Sequence, residues 1–112
     1  MNLDQQVSNC IKQSIVELLR PSKILIFGSY ATGLATAESD VDIMVVVEDA
    51  RRADRETAVN GRLAIRKALQ AIGKDIAFDF ILSSQSHFDK TKAMRGTIQC
   101  VAEQQGVVLY EQ

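Results

Sequence analysis

Histidine, cysteine and a surplus of charge of either sign are the scarce things in this sequence. One histidine, His87, lies in a polar stretch suited to solvent, which leaves no histidine pair for metal binding or for acid and base catalysis. The two cysteines, Cys10 and Cys100, are ninety positions apart among apolar residues of helical pattern. That spacing gives no metal-ligand pair and no disulfide framework, so both are expected to be small core residues. Thirteen basic residues nearly balance fourteen acidic ones. No positive excess therefore exists to hold a nucleic-acid backbone or an anionic membrane without specificity. No apolar run approaches the roughly 18 residues of a membrane span, and the first residues lack a basic head and an apolar stretch. The protein is expected to be cytoplasmic. No repeat, low-complexity segment or linker interrupts the chain, and at 112 residues a second domain would not fit. Residues 1–112 are expected to form one domain.

What is present is an ordered alternation of helical and extended patterns. Leu3, Val7, Ile11, Ile15 and Leu18 recur at helical spacing, and Arg20-Pro21 closes the segment. Residues 23–27 form a short apolar run ended by Gly28-Ser29, as in a strand running into a tight turn. A small polar stretch, Tyr30 to Ser39, has room for one short helix. Residues 41–47 are rich in β-branched side chains and predict a second strand. The pattern from Arg51 to Ile72 is helical, with Gly73 as its stop and Gly61 as a site of expected irregularity. Residues 76–82 predict a third strand, and Ser83-Ser84 a cap for a charged helical segment. A helix is expected over 93–105, ended by Gly106, and residues 107–110 suit an edge strand. The fold class is therefore α/β (α+β), with a small mixed sheet of three to four strands flanked by helices.

The chemistry concentrates in three acids. Asp40 and Asp42 are two positions apart at the start of a strand, so their carboxylates leave from the same face. Two like charges on an apolar sheet repel and lose hydration unless cations neutralise them. Magnesium suits such a site, because it takes carboxylates, waters and substrate phosphates. Asp79 interrupts the apolar run Ala77-Phe78-Asp79-Phe80-Ile81. Alternation puts Phe78, Phe80 and Leu82 on one face and Ala77, Asp79 and Ile81 on the other. If that second face is shared with Asp40 and Asp42, three carboxylates converge, as a two-metal nucleotidyl transfer requires. Asp75 shares the parity of Asp79 but follows Gly73-Lys74 at the exposed start of the strand, so Asp79 is preferred. Gly28 lets backbone approach a ligand, and the hydroxyl and amide of Ser29 can both donate to phosphate oxygens.

Gly28-Ser29, ten intervening residues and Asp40-Val41-Asp42, within FGSYATGLATAESDVDIMVVV, closely resemble the signature of the minimal nucleotidyltransferases of the polymerase-beta-like superfamily. The tail EQQGVVLYEQ is also similar to the end of these domains. The resemblance implies metal ligation by Asp40, Asp42 and Asp79, two Mg2+ ions and ATP as substrate. It implies triphosphate contacts from Gly28 and Ser29. Ser39, preceding the acid pair, and Tyr30, beside the turn, are the further candidates for nucleotide binding. Many relatives carry arginine where this chain has Thr32, which leaves Arg51, Arg52, Arg55 or Lys74 as substitutes. Many domains of this type resemble antitoxins that attach AMP to a tyrosine of a HEPN ribonuclease toxin, implying such a protein as partner, in a homo- or hetero-oligomer. Two other readings stand beside this one. A binding module would silence its partner by covering it, and an aminoglycoside-type enzyme would modify a small molecule.

Overall fold

A computed structural model describes residues 3–49 and 53–112. The elements in chain order are α1 (Gln5–Leu19), β1 (Lys23–Phe27), α2 (Ser29–Thr32), β2 (Val41–Val47), α3 (Arg55–Ala71), β3 (Phe78–Ser84), α4 (Gln85–Thr91), α5 (Ile98–Gln105) and β4 (Val107–Glu111). The strands form one mixed sheet in the order β3-β2-β1-β4. β1 runs antiparallel to both β2 and β4, whereas β2 and β3 are parallel. The connection between parallel strands must cross over, and α3 supplies it. No helix among the described residues is long and apolar enough to cross a membrane.

The sheet is covered on both faces. Ile24 and Ile26 of β1, alternate residues Val41 to Val47 of β2, and Phe80 of β3 pack against Val7, Ile11 and Ile15 of α1 and Ile65 and Leu69 of α3. On the reverse face Leu25, Phe27, Met44 and Val46 meet Phe88 of α4 and Ala102 of α5. β2 is the central strand, and Ile43 to Val47 are at most 1% exposed, which explains its unbroken apolar run. Each such side chain contributes roughly 1.5–3 kcal/mol by leaving water.

Helix ends follow local chemistry. Asp4 caps α1, its Oδ1 accepting from the amides of Gln6 (2.7 Å) and Val7 (3.4 Å). Asp54 caps α3 through the Thr57 amide at 2.9 Å. The expected start of that helix at Arg51 falls with Arg52 outside the described residues. Three expectations shift. The buried stripe of α1 ends on Leu19, because the spacing continues by fours from Val7, and Leu18 is 47% exposed. Gly96, at φ +88°, breaks the segment expected to be helical from 93, and α5 begins after its cap, Thr97. β3 starts at Phe78, not at residue 76, and the Ile76 carbonyl accepts from the Arg66 guanidinium at 3.2 Å.

Gly61 does not disturb α3. It is buried where helix and sheet approach most closely, and a Cβ built there would lie 2.6 Å from Cζ of Phe80. Glycine is kept for contact, in spite of its low helix propensity. Cys10 is half-buried and Cys100 buried, both as free thiols, as expected.

Candidate active site

The two acid-bearing strands begin at one mouth of the sheet, where β1 ends and turns at Gly28. Parallel pairing sets Asp42 directly beside Asp79. Both share the pleat direction that carries Met44 and Val46 into the second core, so both carboxylates emerge on the α5 side. Asp40 precedes β2, and its charge reaches the Asp42 carboxylate. Asp42 is half-buried, whereas Asp40 and Asp79 are exposed. Asp79 therefore sits not in an apolar interior, as the run around it suggests, but on an edge strand open to solvent.

Partial burial, then the charge of Asp79 and a hydrogen bond shared with it, then the charge of Asp40 push the Asp42 carboxyl above its ordinary range. The fold thus holds Asp42 and Asp79 as a close pair, with Asp40 in electrostatic reach. They are not a closed cage: among the described residues no three histidine, cysteine or carboxylate side chains are already gathered tightly enough to hold a metal ion.

Gly28 has φ +72° and ψ −149°, a conformation essentially reserved for glycine. Its backbone abuts Asp42 so closely that a Cβ would collide with the Asp42 Oδ2. Ser29 opens α2, and the Gly28 carbonyl accepts from the amides of Ala31 (3.0 Å) and Thr32 (3.1 Å). A cleft of about 410 Å³ begins here, lined by Phe27, Asp42, Asp79, Ile81 and Ile98, and wraps around β3 to Phe78, Phe80 and Arg62.

Other candidates lie elsewhere. Ser39 closes the loop ahead of Asp40, its Oγ accepting from the Thr36 amide at 2.8 Å. Tyr30 does not line the acidic cleft. It packs against the first core and borders a hollow with Leu3, Ser8, Ile26, Val107 and Leu109. Lys74 pairs with Asp4 at 3.7 Å, and Asp75 flanks a separate hollow with Arg66, Gln70, Gly73 and Lys74, so neither lines the cleft. Arg51 and Arg52 are outside the described residues. Arg62 is the cleft residue that sequence reading missed. Its available signal was its spacing of four from Arg66, the residue that meets the start of β3.

Comparison with known proteins settles the family. A model of the nucleotidyltransferase domain matches residues 9–98, most of the chain. The chain belongs to the nucleotidyltransferase domain family. Two solved structures share the fold of this nucleotidyltransferase domain. One is a toxin-antitoxin crystallised with AMP-PNP, at 22% identity and a TM-score of 0.63, covering 94% of this chain and 73% of the other. The second is a putative nucleotidyltransferase from Sulfolobus solfataricus, at 15% identity and a TM-score of 0.54, covering 100% and 93%. A tri-AMPylated HEPN toxin of Shewanella oneidensis in complex with MNT antitoxin aligns at 21% identity, covering 94% and 73%, with a TM-score of 0.48. No curated protein matches this chain significantly.

Proposed function

We propose that this chain is a magnesium-dependent enzyme that transfers AMP from ATP to a tyrosine hydroxyl of a partner protein, and that the partner is a HEPN-type ribonuclease toxin silenced by the modification. The single observation that carries the reading is the pairing of Asp42 with Asp79 on adjacent parallel strands, beside the glycine-bounded turn at Gly28. Residues 1–112 act as one domain in the cytoplasm. The likeness in fold to a toxin-antitoxin crystallised with AMP-PNP agrees with both the nucleotide and the kind of partner.

The donor set fits magnesium: hard carboxylate oxygens on an open rim, with room for waters and phosphates to complete the shell. Asp40, Asp42 and Asp79 would hold it, and it would supply neutralisation of the carboxylates and the polyphosphate. Gly28 and Ser29 cradle the triphosphate, with Ser39 fixing the loop that presents Asp40. Asp79 orients the acceptor hydroxyl. The acceptor oxygen forms a bond to the α-phosphorus as the bond to the bridging oxygen breaks. Pyrophosphate leaves, and the hydroxyl proton passes to a carboxylate or to solvent.

The test incubates the chain with ATP, magnesium and a HEPN toxin, and reads the intact mass of the toxin. Adenylyl addition is expected, with Asp42→Asn and Asp79→Asn each slowing it roughly a hundredfold or more. If Asp42→Asn neutralises the toxin as well as the native chain does, the protein is a covering module and this reading fails.

A further inference from the structure

β3 ends the sheet, so one of its edges has no strand neighbour among the described residues. Such an edge offers a row of backbone donors and acceptors to an extended chain. α3 runs beside it. Arg55, Arg62 and Arg66 follow one another at steps of seven and four positions, which puts them along one face of that helix. Arg66 fixes this face against the start of β3: its guanidinium lies 4.7 Å from the Phe78 ring centroid and donates to the Ile76 carbonyl. Arg62 lines the cleft that reaches Asp79 and Asp42. Arg55 and Arg62 are exposed, and no ion pair joins either to a described carboxylate.

The place of these cations across the sheet decides what they face. Gly28, where the triphosphate is proposed to sit, ends β1, two strands away from β3. At about 4.8 Å per strand that is roughly 10 Å. α3 covers the sheet face opposite the carboxylates, and Arg62 reaches their cleft around β3, on the side left for an acceptor. Beside Asp79 the cleft offers Ile81 and the 41%-exposed Ile98 as an apolar wall fit for an aromatic ring, with Phe78 on the other face of β3.

We propose that the arginine face of α3 and the open edge of β3 form the acceptor-docking surface, and that they select a hydroxyl-bearing residue set in an acidic, extended polypeptide segment. The proposal rests on the transfer reaction above and adds the character of the acceptor. A polypeptide is favoured over RNA because the basic face adjoins an unpaired strand edge and an apolar wall, and because the chain as a whole carries a formal net charge of −1.

The test measures binding, so that it does not depend on turnover. Short labelled peptides with tyrosine between glutamates or between glutamines, and a single-stranded RNA oligonucleotide, are titrated by fluorescence anisotropy against the protein with magnesium and a non-hydrolysable ATP analogue. The glutamate peptide is expected to bind tightest. Arg62→Gln and Arg55→Gln should each weaken it up to about fivefold, the scale of one exposed ion pair, and Arg62→Lys should retain most of the affinity. The rise in melting temperature caused by the ATP analogue should be the same in all variants, which also shows that they fold. Equal affinity for the two peptides, tighter binding of RNA, or loss of the nucleotide-induced rise in Arg62→Gln each overturns the proposal. A transfer assay on the native chain separates the two readings: charge-dependent peptide binding without any nucleotidyl transfer refutes the transferase while leaving this surface intact.

Discussion

The backbone of Gly28 presses against the carboxylate of Asp42, so that the turn after β1 and the acid at the start of β2 form one unit. Any β-carbon at position 28 collides with that carboxylate and also faces a positive φ of +72°. Gly28→Ala is therefore expected to lose about 1–3 kcal/mol through the backbone alone. It should also displace Asp42 and abolish transfer. Chemical denaturation beside an activity assay checks both. Native activity in a stable Gly28→Ala protein would show that the contact is dispensable.

Asp42 works against the stability of the fold that holds it. Burial and the neighbouring acids raise its folded-state pKa, so its favourable contribution is complete only below the ordinary value, where it is protonated. That contribution is lost as pH rises through the raised value. Without metal, Asp42→Asn should melt higher than the native protein at neutral pH, and the difference should vanish in acid. Magnesium with ATP should raise the melting temperature of the native chain and leave the variant nearly unmoved. Thermal melts across pH, with and without these ligands, give the answer.

The opposite sign holds for Asp4. Amides of Gln6 and then Val7, assisted by Lys74, hold its carboxyl below the ordinary range against a smaller cost of desolvation. Its contribution is present above the ordinary value and lost as pH falls through the lowered one. Asp4→Asn keeps a capping oxygen and is expected to flatten the acid limb of the stability profile. Asp4→Ala should lower stability at neutral pH as well. Parallel profiles for the native chain and Asp4→Asn would rule this out.

Gly61 offers a test of contact against propensity. Alanine gains about 1 kcal/mol in an exposed helix interior. Here its Cβ would lie 2.6 Å from the rim of Phe80, a ring held in the core, and overpacking of that kind costs about 1–3 kcal/mol. Gly61→Ala should therefore be neutral to destabilising. Because Phe80 adjoins Asp79, slower transfer is expected too. Urea denaturation settles the sign.

Periodicity was enough to read the sheet and its helices, because β2 is buried on both faces and α1 repeats its apolar residues by fours. The direction of Asp42 and Asp79 also followed from alternation, since a pleat admits only two sides. Pairing of Asp42 with Asp79 did not: register depends on how α3 spans the crossover, which no local pattern encodes. Tyr30 lies off the acidic cleft, against the first core, because adjacency to a turn does not decide which side of the sheet a ring takes. Gly61 read as a defect and Arg62 drew no attention, since both derive their meaning from a strand that follows much later.

The uneven fastening of the strands gives the site one soft dimension. β2 is bonded along both flanks, and β3 along one only. Amide protons of residues 43–46 should consequently exchange only when the whole chain opens, whereas those along the outer side of β3 exchange through local fraying. The carboxylate of Asp42 is thus anchored on a strand braced from both flanks, whereas that of Asp79 rides on one whose outer flank has no strand neighbour among the described residues.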